Sequence, residues 1–425
     1  MKPTPELIDR IQSFVCRGFD HTFGTPDIEG KEDPEWRKVV ETGTRLWLDT
    51  GDMGEAEALW VAEFSALTTN NTLLNKEIQK GIYDKLVVEA AEMIREVQPG
   101  LDESTLILEI AFILNAYHGL RLVEKFDANV SVELHTDLAQ DVERSVAYGR
   151  RYFAICPERF IIKVPLTPAG YLSARRLRAE GIPLNFTLGF SARHNVVAAL
   201  LTKPTYVNVF MGRLNSFVAD HKLGSGDNVG EKTTLATQRA LRALRDEGRT
   251  ESMLIGASIR SGDQIEDLAG IDVFTMPPKA AAEFRANPPA QVSSRVENDP
   301  EISLAEGVNL DDFNGSTLWE IPDAFRACVD ALLKLDIETL TPEDLQQHFQ
   351  ASGFGGFLPA WTACEIETIS RDGKIPKLDT WKARLASGEL GLDALMNVSA
   401  LQSFATDQAA LDDRVRSMLQ GVPTA

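Results

Sequence analysis

One lysine lies within a run of apolar residues, where a charged side chain is rarely found. Lys163 stands in the segment 160–166, and every other member of that segment is apolar. Burial disfavours the ammonium form of a lysine, and the neutral amine can attack a ketone to form an imine. The alternative is a lysine whose ammonium group reaches solvent along its own stem. The residue therefore favours Schiff-base chemistry and leaves a structural lysine open.

Two carboxylates follow other short apolar runs. Asp49 follows 46–48 and could move a hydroxyl proton during C–C cleavage, although an acid in that place also caps helices. Glu133 follows 130–132 and needs a partner or a proton to transfer. Thr187 could hold a water molecule between Glu133 and a Schiff base. The alternative for Glu133 is a salt bridge to a neighbouring strand, with Lys163 as one candidate.

Two arginines also follow apolar runs and suit an anionic ligand. Arg213 comes after Gly212, and Arg260 comes two residues after Ser258. A guanidinium group binds phosphate through paired N–H donors, whereas a single exposed arginine more often forms a surface ion pair. The pair therefore predicts a phosphate site, with surface ion pairs as the alternative.

Eight apolar runs position these residues, and amphipathic stretches of helical spacing separate several of them. The runs are 46–49, 62–68, 130–133, 160–164, 184–188, 206–210, 253–257 and 273–276. Alternating strands and helices predict a parallel sheet, and eight strands favour a closed (β/α)8 TIM barrel of the α/β class. No GxGxxG motif follows the first run, which weakens a dinucleotide-binding alternative. Barrel sites lie at the carboxyl ends of the strands, where the polar residues stand.

The rest of the chain predicts additions to the barrel. We expect helices over 71–97, 167–180, 231–247 and 401–419. A barrel takes roughly 250 residues, and the chain has 425. We therefore divide it into an N-terminal arm (1–44), a catalytic barrel (45–285), and a linker with a C-terminal helical extension packing on the barrel (286–425).

Composition limits the partners. The net charge is −20 and the pI is about 4.8, and no basic stripe is present, so we expect neither nucleic acid nor membrane as a partner. Four separated cysteines without a CxxC pair, no signal peptide and no apolar stretch of roughly 18 residues favour a cytoplasmic protein. The histidine spacing does not suit a metal site. We expect no metal and no cofactor.

Together these residues resemble the transaldolase family. The matching motifs occur in family order over roughly 45–280, and the tail 401–408 resembles the last helix of the family. The motifs are Leu48-Asp49-Thr50-Gly51-Asp52, Leu67-Thr68-Thr69-Asn70, Ser131-Val132-Glu133, Ile162-Lys163-Val164-Pro165, Gly181-Ile182-Pro183-Leu184-Asn185-Phe186-Thr187-Leu188, Phe210-Met211-Gly212-Arg213-Leu214 and Gly256-Ala257-Ser258-Ile259-Arg260.

The resemblance implies a role for each residue. Lys163 would form the Schiff base, and Asp49 would take the C4-hydroxyl proton as the C3–C4 bond breaks. Glu133 and Thr187 would hold and activate the catalytic water. The implied substrate-binding residues comprise Asn70 and Asn185 on the three-carbon unit, Arg213, Ser258 and Arg260 on the phosphate, and Thr69, Asn208 and Phe210 beside them.

The implied activity is transfer of a dihydroxyacetone unit from a ketose phosphate to an aldose phosphate, a reaction of the pentose phosphate pathway. Glu133 and Phe210 resemble the transaldolase branch, because the fructose-6-phosphate aldolase branch tends to carry Gln and Tyr there. Alternatives are a lyase that releases dihydroxyacetone and a repurposed non-catalytic barrel. The chain departs from the family pattern at Asn71, where proline is usual, at Asn208, where serine is usual, and in its long terminal segments. A homodimer is plausible for such a barrel.

Overall fold

Eight parallel strands form a closed barrel at the centre of the protein. The computed structural model describes residues 2–19 and 22–420. Each strand pairs with its neighbours in chain order, and the last strand closes against the first. The strands are β1 (Arg45–Asp49), β2 (Phe64–Thr68), β3 (Asn129–Glu133), β4 (Phe160–Pro165), β5 (Leu184–Thr187), β6 (Tyr206–Phe210), β7 (Met253–Ala257) and β8 (Val273–Met276). The predicted (β/α)8 barrel is confirmed.

Helices lie before, between and after the strands. They are α1 (Pro5–Val15), α2 (Pro34–Val40), α3 (Met53–Leu59), α4 (Asn71–Gln79), α5 (Asp84–Val97), α6 (Glu103–Phe126), α7 (Val142–Ile155), α8 (Pro168–Ala179), α9 (Ala192–Leu201), α10 (Met211–Asp220), α11 (Val229–Asp246), α12 (Asp263–Asp267), α13 (Pro278–Ala286), α14 (Asp323–Leu332), α15 (Pro342–Ala351), α16 (Ala363–Asp372), α17 (Leu378–Ala386) and α18 (Leu392–Leu419). Short 3-10 helices occur at Thr136–Leu138, Leu310–Phe313, Gly315–Leu318 and Ile337–Thr339.

The strands read as apolar runs because a parallel barrel buries both faces of each strand. All six residues of β4 are buried. In such a strand one face meets the barrel interior and the other meets the surrounding helices, so the period-two pattern disappears. Lys163 interrupts this run and is only 2% exposed.

The stretch 71–97 forms two helices rather than the single one predicted. The helix α4 ends at Gln79, and α5 begins at Asp84. Gly81 between them has φ +79°, a conformation that glycine adopts readily and that ends a helix. Both helices bury apolar residues, so the apolar spacing continued through the break and concealed it.

The sequence analysis did not identify α6 as a helix. This helix is long and apolar enough to cross a membrane by composition, but 89% of its most apolar window is buried inside the protein. Glu109 interrupts the apolar run, which is why no such stretch was identified. The Glu109 side chain is fully buried and accepts hydrogen bonds from Arg151, with Nη1 at 2.9 Å, and from Tyr148. The burial is typical of a core helix in a folded domain.

The last helix begins at Leu392, earlier than the predicted start at Leu401, and a buried ion pair fixes its first turn. Asp393 is fully buried and accepts two hydrogen bonds of 2.6 Å from Arg193 of α9. Ser191 donates a third bond of 2.7 Å to the same carboxylate. The guanidinium group of Arg193 is itself buried. The ion pair therefore joins α18 to α9, and each of its two buried charges is compensated by the other.

We expect Asp393→Ala to destabilise the fold by about 3–5 kcal/mol, because it leaves a buried guanidinium without its counter-ion. Asp413→Ala is the matched control, since Asp413 lies on the same helix in an exposed pair with Arg416. An exposed substitution of this kind changes stability by about 0.5 kcal/mol or less. Urea unfolding followed by circular dichroism measures both. Equal midpoints for the two variants would contradict the structural role of Asp393.

Candidate active site

Three adjacent strands hold Glu133, Lys163 and Asn185 side by side. In the strand register Glu133 pairs with Lys163, and Lys163 pairs with Asn185. The Lys163 Nζ atom lies 4.0 Å from Glu133 Oε2 and donates a long hydrogen bond of 3.5 Å to the carbonyl oxygen of Thr69. All three residues are at most 3% exposed. The carboxylate–lysine contact that the sequence left open is therefore present.

A cavity of about 330 Å³ opens onto Lys163 at the carboxyl ends of the strands. This size falls in the range of small-molecule sites. Three of the twelve predicted residues, Glu133, Thr187 and Thr69, do not line the cavity and are buried. The other nine line it: Asp49, Asn70, Lys163, Asn185, Asn208, Phe210, Arg213, Ser258 and Arg260. The fold thus brings together nine predicted residues that lie on, or directly after, six of the eight strands.

Four buried polar atoms among the predicted residues have no hydrogen-bond partner in the protein. They are Asp49 Oδ1, Thr69 Oγ1, Asn185 Oδ1 and Thr187 Oγ1. Buried polar groups are ordinarily paired, so a group of unpaired atoms requires an explanation. Their position at the strand ends beside Lys163 suits a site whose ligand or bound water completes the pairing.

Burial raises the pKa of both carboxylates that face the lysine. For Asp49 the positive charge of Lys163 opposes this effect without overcoming it. For Glu133 the charge of Lys163 and a hydrogen bond from the main-chain N–H of Asn71 oppose it. Each carboxyl group therefore keeps its proton to higher pH than an exposed one, as is common for groups that transfer protons.

Asp49 does not cap the helix that follows β1. The helix α3 is capped by Asp52, whose side chain accepts a hydrogen bond from the N–H of Glu55. The capping alternative for Asp49 is therefore wrong. Its Oδ1 atom is sealed from solvent and unpaired, which leaves the carboxylate free for chemistry in the cavity.

Two of the predicted amides already hold the backbone with their oxygen atoms. Asn70 caps α4 by accepting a hydrogen bond of 2.8 Å from the N–H of Leu73. Asn208 accepts one of 3.0 Å from the N–H of Gly189, in the loop after β5. Each oxygen atom is thereby held in place, and the amide N–H donors of each side chain can be offered to a hydroxyl or phosphate oxygen of a ligand.

The two arginines lie at the same end of the cavity. Arg213 is buried, and burial together with the neighbouring charge of Arg260 lowers its pKa to about 10. A Cβ atom on Gly212 would lie 2.3 Å from the carbonyl oxygen of Ser258 and 2.6 Å from Arg260 Nε. Only glycine permits this approach of the two strand ends, so Gly212 fixes where Arg260 stands.

Several cavity residues come from outside the predicted set. Phe404 and Asp407 of α18 line the cavity, and the Phe404 ring centroid lies 6.0 Å from Lys163 Nζ. The resemblance of 401–408 to a family helix was the only signal for them. Lys374 and Ile375, between α16 and α17, also line the cavity. No motif or spacing in the sequence marks these two.

Two buried histidines, His118 and His194, contribute to the core. Burial lowers the pKa of His118 and His194 to about 4 each. His118 Nδ1 lies 2.7 Å from the hydroxyl oxygen of Tyr83. Over residues 2–19 and 22–420, His, Cys, Asp and Glu side chains form no group of three or more that could hold a metal ion.

Known proteins resemble this chain over most of its barrel. The family described as transaldolase/fructose-6-phosphate aldolase matches residues 46–335. A transaldolase of Prochlorococcus marinus subsp. pastoris is 30% identical over 255 residues, which cover 57% of this chain and 75% of that protein. A transaldolase of Xanthomonas oryzae pv. oryzae is 29% identical over 302 residues, which cover 67% of this chain and 92% of the relative.

We expect Asp49→Asn to stabilise the protein by about 1 kcal/mol at pH 7.5. Replacing a buried, unpaired functional carboxylate with a neutral amide removes a destabilising charge, and substitutions at functional sites commonly increase stability in this way. Because the pKa of Asp49 is higher in the folded state than in the unfolded state, ionisation of its carboxyl group destabilises the fold. This destabilisation develops as pH rises above the unfolded-state pKa of about 3.9. The gain should therefore shrink toward pH 4. Thermal unfolding at both pH values measures it.

Asp52→Asn is the control with the opposite sign. Hydrogen bonds from Lys80 and from the N–H of Glu55 lower the pKa of Asp52. The ionised carboxylate therefore stabilises the fold at neutral pH, and this stabilisation is lost as pH falls through the folded-state pKa. Asparagine caps helices as well as aspartate does, which isolates the charge effect. A loss of stability in Asp49→Asn at pH 7.5 would show that its carboxylate is structural.

Proposed function

This chain belongs to the transaldolase/fructose-6-phosphate aldolase family, and we propose from that premise that Lys163 forms a Schiff base with a ketose phosphate. The enzyme then transfers a dihydroxyacetone unit to the aldehyde of an aldose phosphate. Sedoheptulose 7-phosphate and fructose 6-phosphate are the expected donors. The observation that carries the proposal is the position of Lys163. This buried lysine lines the cavity and interacts with two carboxylates, Glu133 and Asp49.

The first half of the reaction breaks a carbon–carbon bond. The Lys163 amine attacks the C2 carbonyl of the ketose and, after loss of water, forms an iminium ion. Asp49 removes the C4-hydroxyl proton while the C3–C4 bonding electrons move into the iminium system. An aldose phosphate leaves, and a three-carbon enamine stays on Lys163. The raised pKa of Asp49 suits a group that must accept and return a proton.

The second half reverses these steps on a different aldehyde. The enamine carbon attacks the acceptor carbonyl, Asp49 returns its proton to the new hydroxyl, and water hydrolyses the iminium. Glu133 and Thr187 are the expected holders of that water. The unpaired Thr187 Oγ1 atom and the raised pKa of Glu133 support this role.

The phosphate end of the substrate fits the arginine end of the cavity. Arg213 and Arg260 supply charge-assisted donors, and Ser258 adds a hydroxyl group from the end of β7. Asn185 is the register partner of Lys163, and Asn70 follows Thr69, whose carbonyl oxygen accepts a hydrogen bond from Lys163. Both asparagines line the cavity and are the expected partners of the three-carbon unit. Phe210 and Asn208 line the cavity beside them, whereas Thr69 is buried outside the lining and contacts Lys163 through its main-chain carbonyl.

We expect borohydride to trap a three-carbon adduct on Lys163 when the protein is incubated with fructose 6-phosphate. Mass spectrometry of the peptide locates the adduct. Lys163→Met fills the same volume without an amine and should lose both the adduct and about a thousandfold or more of turnover, as removal of a nucleophile does. Glu133→Gln should lose about 10²- to 10⁴-fold, the usual contribution of an acid–base group.

The acceptor distinguishes transfer from release. Turnover that requires an aldose phosphate marks a transaldolase, whereas free dihydroxyacetone without an acceptor marks a lyase. A folded protein that gives no adduct with fructose 6-phosphate or longer ketose phosphates would disprove the Schiff-base proposal and favour a repurposed barrel.

A further inference from the structure

A loop outside the family match is fixed against the arginine end of the cavity. The site loop, residues 373–376 between α16 and α17, is joined to the rest of the protein through three of its carbonyl groups. Arg213 Nη1 donates to the Lys374 carbonyl at 3.1 Å, Ser399 Oγ donates to that of Gly373 at 3.3 Å, and His221 Nε2 lies 2.8 Å from that of Pro376. Arg213 lies in α10, His221 directly follows α10, and Ser399 lies in α18. Contacts with these two helices give the loop a defined position.

The anchored loop adds a third cation to the same end of the cavity. Arg213, Arg260 and Lys374 all line it. Over the described residues 2–19 and 22–420, none of these three side chains forms a salt bridge. Two carboxylates line the same cavity: Asp407, which attracts Arg213, and Asp49, which attracts Arg260. Arg213 and Arg260 repel one another, which raises the free energy of the empty site and favours binding of an anion.

We propose that Lys374 determines substrate specificity by binding the phosphate end of the sugar phosphate together with Arg213 and Arg260. This proposal rests on the proposed function and adds that the site selects substrates by the charge of their phosphate group. A third cation beside Arg213 and Arg260 strengthens the attraction for a dianionic phosphate monoester, because Asp407 and Asp49 each offset part of the positive charge of the arginines. The ammonium group acts from the mouth of the cavity, since the Lys374 residue is exposed, and the main-chain carbonyl holds the loop in place.

Lys374→Ala tests the side chain without removing the anchor, because the hydrogen bond from Arg213 is made to the main chain. We expect KM for fructose 6-phosphate to rise about tenfold, the effect of one charge-assisted hydrogen bond, with kcat nearly unchanged. Lys374→Glu should raise KM further, and Lys374→Arg should restore it. Inorganic phosphate, as a competitive inhibitor, should weaken by a similar factor in Lys374→Ala.

Lys382→Ala is the matched control, since Lys382 is an exposed lysine on α17 that does not line the cavity. Trapping with unphosphorylated dihydroxyacetone separates the two proposals. A normal adduct on Lys163 in every variant, with KM and phosphate inhibition unchanged in Lys374→Ala, would overturn the role of Lys374 alone. Absence of an adduct from the unsubstituted protein would overturn the proposed function instead.

A second observation concerns the first residue of α4. The main-chain N–H of Asn71 donates a hydrogen bond of 3.2 Å to Glu133 Oε2, and its side-chain amide donates one of 3.3 Å to the Leu134 carbonyl. Asn71 is 2% exposed. A proline in this place has no N–H to donate, so the residue that departs from the family pattern supplies a donor to the proposed water-holding carboxylate.

We infer that Asn71 is a positioning residue for Glu133 and acts through its main-chain N–H. This inference rests on Glu133 working as a carboxylate in the proposed reaction. The charged and titratable groups that face Glu133 are Lys163 of β4, Asp49 of β1 and Tyr152 of α7. Asn71 adds the neutral donor that keeps one carboxylate oxygen in a fixed direction.

Asn71→Pro and Asn71→Ala form a matched pair. Both remove the side-chain bond to Leu134, but only the proline removes the N–H. Proline is favoured at the first position of a helix, and Asn70 has the extended conformation that a following proline requires (φ −158°, ψ 170°). We expect the acid limb of the pH–rate profile to move to higher pH by about 0.5–1 unit in Asn71→Pro, and not in Asn71→Ala.

The direction follows from the hydrogen bond, which favours the ionised carboxylate and therefore lowers its pKa. A reciprocal variant tests the same contact without a proline: Glu133→Ala should speed hydrogen exchange at the Asn71 amide. Identical acid limbs in the two Asn71 variants, each giving a normal Lys163 adduct, would overturn the inference. So would unchanged exchange at Asn71 in Glu133→Ala.

Discussion

The register of three parallel strands fixes the contact between a buried lysine and a buried carboxylate, and the rest of the site is arranged around that contact. Glu133, Lys163 and Asn185 are register partners, so their side chains leave neighbouring strands at the same height. A closed barrel has no free edge at which one strand could slip, which makes the arrangement a property of the whole sheet. The 4.0 Å separation of Lys163 and Glu133 therefore follows from barrel closure.

Buried charges elsewhere in the protein show what is unusual about this site. Glu109 is held by Arg151 and Tyr148, and Asp393 is held by Arg193 and Ser191. Both carboxylates have their hydrogen-bonding capacity met by close partners, as burial requires. Asp49 Oδ1, by contrast, has no partner at all. These two structural carboxylates have close partners, whereas the unpaired Asp49 oxygen belongs to a residue that lines the cavity, which is the pattern expected where binding or catalysis uses the polar atom.

The barrel could be predicted closely because each strand is a buried apolar run. Most candidate residues stand at or just after the carboxyl end of a strand, and Lys163, Asn185 and Asn208 are polar residues that interrupt a run. Local patterns of this kind survive in a single sequence. The break at Gly81 and the helix α6 were missed for a different reason: the apolar spacing runs through the break, and Glu109 interrupts the apolar run of α6. Whether Glu109 is compatible with a core helix depends on Arg151, which lies on another helix. No local pattern carries that information.

The same reasoning explains why the outer wall of the site was beyond prediction. Lys374 reaches the cavity because the carbonyl groups of its loop meet Arg213, Ser399 and His221, residues from two distant parts of the chain. Main-chain carbonyls are present at every position, so a contact made through them leaves no trace in residue types. Phe404 and Asp407 reach the cavity only because α18 lies across the barrel, where Thr72 of α4 donates a hydrogen bond to Asp407. The barrel strands thus supply the proposed reacting groups through local sequence, whereas the C-terminal segments line the cavity through tertiary contacts. We therefore expect substitutions in those segments to alter substrate preference and to leave the proposed chemistry at Lys163 intact.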